Sequence, residues 1–392
     1  MRPLSSIGAL LFAAAMASAA PAAAGPSILF DAANGHVIES DNAFQRWYPA
    51  SLTKLMTTYV AFRAVQAGEV SLLSPVRMSR NAANEPPSRM GYKPGSILTL
   101  DTALKIIMVK SANDVATAIG ESLGGSEEEF AARMNIEALR LGMTGSHWVN
   151  AHGLHDDDQY TTARDLAILA SALRSEFPHY ATYFSIEGLS DGEKTIPSHN
   201  NLIGRFEGAD GMKTGYTCPS GFNLVASATR QGRTMMAVVI GSTSPDTRAE
   251  EAAALLAKGF AVSSASGPTL ADLKPTGPAQ NEAINMREEL CTKKGSKAAA
   301  KKRKAEEEAR AAKGESGEHS PYLAKTIGRP RQLVAIALGG ATGPMTRAVA
   351  DAIVAAQPRV PLPVWRPDVP LPAGWEPAIP QGATAAAASG QS

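Results

Sequence analysis

The hydrophobic period of this chain switches twice, from two residues to between three and four and back again. Near the start, Ile28-Leu29-Phe30-Asp31 and His36-Val37-Ile38 flank Ala33-Asn34-Gly35, and Asn-Gly between apolar runs signals a hairpin. From Ser51 the apolar positions Leu52, Leu55, Met56, Tyr59, Val60 and Phe62 recur at helical spacing. Pro49 just ahead is a helix-start residue. Helical stretches follow over Leu100 to Val109, through Val115, Ile119 and Leu123, over Phe130 to Leu141 and over Ala163 to Leu173. After Gly211, strand-like runs return at Phe222 to Ala226 and Met236 to Ile240 around the turn Arg230-Gln231-Gly232, and a helix from Arg248 to Phe260 closes the domain. This order predicts an α+β fold, a largely antiparallel sheet flanked by helices with a helical cluster inserted.

The 392 residues are 44% hydrophobic and 19% charged, enough for one large domain or two smaller ones. A formal net charge of +1 gives no global field toward nucleic acid or an anionic membrane. Arg2, the apolar run Leu10 to Met16 and the small residues Ala17 to Gly25 read as a signal peptide over residues 1–24. Its apolar core is far short of the roughly 20 residues that span a bilayer. The mature chain is therefore expected to be soluble outside the cytoplasm, with its main domain over residues 25–262.

Residues 263–320 read as a charged, low-complexity linker. The run Lys293 to Lys313 is linker or solvated helix, and Glu306-Glu307-Glu308 inside it argues against a nucleic-acid arm. A small strand-helix segment over 321–357 is expected to hold a strand at Leu333 to Leu338 and a helix at Ala348 to Ala356. The Pro/Ala-rich end, 358–392, should be extended or disordered. Cys218 and Cys291 would meet an oxidising compartment and pair, worth about 4 kcal/mol in the chain-entropy view; two unrelated buried thiols are the alternative.

Ser51-Leu52-Thr53-Lys54 sets a hydroxyl and an amine three residues apart at a helix start, so nucleophile and base can touch. The amine is a base only when neutral, which needs burial or a neighbouring cation. Ser-x-x-Lys occurs by chance about once in a chain this long, so its partners matter. Lys213-Thr214-Gly215 lies in the strand region behind Asp210-Gly211; Lys213 and Thr214 can bind a carboxylate while Gly215 lets the chain run close to a ligand. Three Ser-x-Asn tripeptides compete for a third element. Ser40-Asp41-Asn42 precedes the nucleophile and reads as a turn, and Ser198-His199-Asn200 suits a structural or substrate-flanking role. Ser111-Ala112-Asn113 joins two helices at the centre of the cluster, where a short loop can aim two polar side chains into a cleft.

The ordered set Ser51-x-x-Lys54, Ser111-x-Asn113 and Lys213-Thr214-Gly215 resembles the low-molecular-mass penicillin-binding D-alanyl-D-alanine carboxypeptidases. The likeness extends through Tyr48-Pro49-Ala50, Val109-Lys110, Asn150 with Gly153-Leu154, Thr161-Thr162-Ala163-Arg164-Asp165-Leu166 and Asp210-Gly211-Met212, and covers about Ser27 to Phe260. It implies a β-lactamase/transpeptidase-like fold and a periplasmic enzyme acting on peptidoglycan stem peptides, acylated by β-lactams and needing no cofactor or metal. In the roles it implies, Ser51 attacks, Lys54 takes its proton and Ser111 relays a proton to the leaving D-alanine. Asn113 holds the substrate amide, Lys213 and Thr214 bind the terminal carboxylate, and the N–H groups of Ser51 and Tyr216 form an oxyanion hole.

The same motifs would serve a D,D-endopeptidase. A class A β-lactamase is disfavoured because the middle motif is Ser-Ala-Asn and Glu127 to Glu129 lack the context of a deacylating glutamate. A non-catalytic peptidoglycan-binding protein is disfavoured because Ser51, Lys54 and Lys213 are all present. His152, His155 and Asp156-Asp157-Asp158 lie in one Gly-containing loop without a helical His pair, and read as a solvated loop, not a metal site. Gly339-Gly340 and Gly343 lack a phosphate-loop lysine and read as a turn.

Overall fold

The computed structural model describes residues 25–275, 281–310, 320–325, 327–346 and 350. The expected leader and the Pro/Ala-rich tail lie outside them, as does all but residue 350 of the helix expected at 348–356.

Strand β1 (Ser27–Asp31) turns through Asn34-Gly35 into β2 (Val37–Asp41). Ser40 and Asp41 end β2 as strand, not turn; the chain bends only at Asn42, at φ 45°. A short 3-10 turn, Ala50–Leu52, then leads into α1 (Thr53–Gln66). Next come β3 (Pro75–Arg77), α2 (Arg80–Asn84), β4 (Ile97–Thr99), α3 (Leu100–Val109), α4 (Asn113–Gly124), α5 (Glu127–Leu141) and α6 (Ala163–Glu176). Thr99, Ser126 and Thr162 cap α3, α5 and α6 by accepting the N–H three residues on, which satisfies a donor left free at each helix start. The small strands β5 (Gly188–Ser190) and β6 (Thr195–Pro197) follow, then the long β7 (Ala209–Thr217), β8 (Gly221–Arg230) and β9 (Arg233–Ser242). Helix α7 (Pro245–Ala261) starts three residues before Arg248, because Ser244 caps it and Pro245 occupies its first turn.

The main sheet has the order β2-β1-β9-β8-β7, every pair antiparallel. Alternate residues face opposite layers. Ile28, Phe30, Met236, Val238 and Ile240 pack into the helical cluster, while Leu29, Met235, Ala237 and Val239 pack against Ala249, Ala252, Ala253 and Leu256 of α7. Burial on both faces explains why Met235 to Ile240 is a continuous apolar run instead of an alternating one. Helix α1 is buried from Thr53 to Phe62, so Lys54 is carried on an enclosed helix and Ser51 on the turn that leads into it.

The C-terminal part folds back onto this body. After α8 (Arg287–Cys291) and the exposed, charged α9 (Lys293–Arg310), Leu323 is buried in the α7 layer. Both guanidinium NH groups of Arg329 donate to Glu187, at 2.5 and 3.0 Å. Strand β10 (Leu333–Ala335), shorter than the expected run to Leu338, pairs in parallel with β5. Ile336 is buried in the main core, Gly339 N–H donates to Ile97 O, and Gly343 N–H donates to Leu73 O. Removing side-chain atoms from a buried isoleucine costs about 2–5 kcal/mol. Ile336→Ala is therefore expected to lower stability by about 2–4 kcal/mol in urea unfolding, in the same transition as the main domain; a loosely tethered segment would give no shift.

Candidate active site

The loop before α1 is held to β8, an inner strand of the sheet, by one buried asparagine. Asn223 Nδ2 donates to Tyr48 O (3.0 Å) and Pro49 O (3.2 Å), and its Oδ1 accepts Gly241 N–H (2.9 Å). Trp47 Nε1 donates to Ser220 O at 2.7 Å. Ala50, immediately before the nucleophile, has φ 47°, a conformation that costs a non-glycine residue energy and persists only where its surroundings enforce it. A Cβ on Gly153, itself at φ 88°, would lie 1.9 Å from Ala50 O, so only glycine fits there. A Cβ on Gly215 would lie 3.0 Å from both Pro49 O and Ser51 N. Gly215 thus lets β7 approach the nucleophile's own backbone, in addition to any ligand.

Lys54 Nζ lies 3.2 Å from Ser51 Oγ, 2.8 Å from Asn113 Oδ1 and 2.5 Å from His152 O. The last two are acceptors only. A neutral amine has two protons, which these oxygens take, leaving its lone pair for the Ser51 hydroxyl. Burial, and then the charge of Lys213, push the Lys54 amine well below the usual lysine range, against the pull of Glu85 and Asp114. Across the cleft, Lys213 Nζ donates to Ser111 Oγ (3.0 Å) and Thr214 O (2.9 Å). Ser111, at φ 60°, joins α3 to α4 as expected. Burial, then Arg248, bring Lys213 to about 7.

All eight expected site residues meet here. Ser51, Ser111, Asn113, Thr214, Gly215 and Tyr216 line a cleft of about 460 Å³, with the Lys54 and Lys213 amines reaching it from behind. Asn113 is anchored by Nδ2 to Pro86 O (2.9 Å) while its Oδ1 holds Lys54. Asp114 accepts the N–H groups of Met90 and Gly91 and so fixes the loop that carries Ser88 into the cleft. In the third Ser-x-Asn tripeptide, Asn200 Nδ2 donates to Gly211 O (3.0 Å) and His199 lines the cleft.

Sequence reasoning missed Arg248. It lines the cleft from α7, is 5% exposed, and its Nε has no partner among the described residues. A buried guanidinium with a free donor is an incomplete anion site. Burial, then Lys213, Lys110 and Arg248, lower His199 to about 4, so it is neutral near pH 7. His152 is not part of the solvated loop: it is 6% exposed, with Nε2 3.4 Å from Glu85 and 3.3 Å from Glu127. Leu154 N–H donates to His152 Nδ1, which puts the ring proton on Nε2 between two carboxylates and leaves no lone pair there for a metal. His155, by contrast, sits at the surface beside Asp157.

A family model described as D-alanyl-D-alanine carboxypeptidase, peptidase family S11, matches residues 13–244. The chain is 35% identical over 240 residues to D-alanyl-D-alanine carboxypeptidase DacC of Escherichia coli K12, covering 59% of this chain and 60% of that protein. It therefore spans about three fifths of the length of such a curated relative. Among solved structures, penicillin-binding protein 6B from Escherichia coli aligns with TM-score 0.58 and 34% identity over 60% of this chain and 77% of that one. Penicillin-binding protein D2 from Listeria monocytogenes in its cefotaxime-bound form aligns with TM-score 0.55 and 28% identity, over 60% and 97%. No helix of the described residues is long and apolar enough to cross a membrane.

The two lysines set opposite pH limbs. A base with a lowered pKa becomes active as pH rises through that value, and an anion-binding cation loses its charge as pH rises through its own. With a neutral acyl donor, kcat/KM for acylation of Ser51 should rise and level off well below pH 10.5. With a carboxylate-bearing donor it should also fall as Lys213 discharges above about pH 7. Intact-mass kinetics on both donors would show this, and a shared single limb near pH 10.5 would refute it.

Proposed function

This chain belongs to the D-alanyl-D-alanine carboxypeptidase family, and on that premise we propose that it removes the terminal D-alanine from peptidoglycan pentapeptide stems. The observation that carries the reading is the buried Lys54 amine, 3.2 Å from Ser51 Oγ, with Asn113 Oδ1 and His152 O as its other two contacts. Lys54 takes the Ser51 proton as Oγ attacks the carbonyl between the two D-alanines. The N–H groups of Ser51 and Tyr216 receive the oxyanion. Ser111, held by Lys213, passes its proton to the leaving nitrogen and regains one from the Lys54 ammonium, so that the C–N bond breaks, D-alanine departs and Lys54 is neutral again. Water then attacks the Ser51 ester, Lys54 again taking the proton, and Oγ leaves with it.

Lys213, Thr214 and Arg248 bind the substrate's terminal carboxylate; Arg248 completes a site that one partly discharged lysine would hold weakly. Asn113 offers its remaining amide proton to the substrate's peptide carbonyl. A β-lactam enters by the same route, its ring amide standing in for the D-alanyl-D-alanine bond. The leader over residues 1–24 directs the chain to the periplasm, where this substrate lies.

The test is labelling with a fluorescent penicillin and peptide mass spectrometry, alongside D-alanine release from a pentapeptide. Label and release are both expected on Ser51, and Ser51→Ala should lose about 10⁶-fold in rate. Arg248→Ala should lose about 10- to 150-fold in kcat/KM, the worth of a hydrogen bond to a charged group. Label elsewhere would overturn the mechanism. Label on Ser51 without D-alanine release, but with cleavage of cross-linked dimers, would make the protein a D,D-endopeptidase.

A further inference from the structure

Cys218 lies just past the end of β7, two residues beyond Tyr216, and is disulfide-bonded to Cys291 at the end of α8. Cys291 falls outside the stretch that matches the family model, so one half of the bridge comes from this chain's own C-terminal extension. The bridge stands against a cleft residue. Tyr216 Oη is 3.4 Å from Cys291 Sγ and 3.9 Å from Cys218 Sγ. The Tyr216 ring stacks on Phe222 with centroids 4.1 Å apart, and both rings line the cleft.

The segment that carries Cys291 is itself docked beside the site. Met286 is buried, its N–H donates to Pro219 O, and its sulfur presses on Gly221. Gln45 Nε2 donates to Glu282 O at 2.8 Å, and Ile284 bridges to Trp47. The turn between β7 and β8 and the arm leading to Ser51 are thus both clamped by residues 282–291.

The two ends of the cleft are chemically distinct. Lys213 and Arg248 mark the carboxylate end. Tyr216 is three residues further along an extended strand, about 10 Å away, past the point where Gly215 meets Ser51. Thr214 and Tyr216 share a face of this edge strand, so the aromatic pair borders the path of the peptide on the acyl-donor side of the attacked bond.

We infer that the Cys218–Cys291 bridge is a redox-controlled positioning device: it fixes the Tyr216–Phe222 wall against which the acyl-donor part of a stem peptide packs. Two-electron reduction by an external dithiol breaks the Sγ–Sγ bond, gives two thiols and leaves the reductant as its own disulfide. Cys291 is exposed and Cys218 half-buried, so such a dithiol has access. Once the bond is broken, the two sulfurs no longer stand fixed against the Tyr216 hydroxyl, and the ring, 44% exposed, has Phe222 as its remaining ring contact. Tyr216 and the bridge are positioning elements here, and their effect falls on substrate binding while the Ser51–Lys54 chemistry stays intact.

The inference rests on the proposed carboxypeptidase reading. The experiment compares the full chain oxidised, reduced with dithiothreitol and reoxidised, with alkylation and mass spectrometry to count thiols. Reduction is expected to raise KM for a pentapeptide about 5- to 10-fold, with kcat within 2-fold, and reoxidation to restore it. The Cys218→Ser/Cys291→Ser variant should match the reduced enzyme and ignore dithiothreitol. Tyr216→Ala should already have the raised KM and show no further change on reduction. Labelling by a small β-lactam without a donor peptide should stay within 2-fold between the oxidised and reduced chain and in the Cys218→Ser/Cys291→Ser variant. An unchanged KM on reduction would overturn the inference, as would kcat and β-lactam labelling falling together with it. No D-alanine release even from the oxidised chain would instead sink the carboxypeptidase reading.

Discussion

Lys54 is wholly excluded from water, and the arrangement around it follows from that exclusion. An amine in this setting keeps its proton only at high cost, so burial favours its neutral form, whose two N–H groups need acceptors. Asn113 and the carbonyl of His152 are those acceptors, and each must be held in turn. Asn113 is tied to Pro86 and Ser88; His152 is fixed by Leu154 on one ring nitrogen and by Glu85 and Glu127 on the other. A single desolvated group therefore fixes the position of α4, of the loop after α2 and of the turn at residues 150–154.

The second buried amine, Lys213, makes an opposite demand. It must be charged when an anion arrives, yet burial and Arg248 draw it to about 7. A carboxylate entering the cleft meets two cations with unmet electrostatic need, and each gains from its arrival. Such sites cost folding stability in the empty protein. The broad apolar layers on both faces of the sheet offset that cost.

The fold was legible where one physical signal dominated. The period of the apolar residues gave β1, β8, β9, α1 and the helices α3 to α6, and the spacing Ser51 to Lys54 meant something once Lys213-Thr214-Gly215 and Ser111-Ala112-Asn113 stood beside it. Arg248 was not legible, since an arginine in the first turns of a helix is usually a solvated charge and only tertiary packing aims it inward. Asn223 left a faint trace as a lone amide inside the apolar run Phe222 to Ala226. The strands β3 to β6 are three residues each, too short for a period to show. The return of Leu323 to Thr346 onto the core depends on contacts that no local pattern encodes.

The register of β1 has a consequence in time. Ser27 pairs with Val239 and Asp31 with Met235, so the strand made near the start waits for one made after the whole helical cluster. Loop closure over such a distance is slow, and β10 comes later still. Until β9 is made the sheet lacks its middle strand, and until Ile336 is made the core lacks a buried side chain. A topology of this kind keeps a newly made chain open until most of its length has been synthesised.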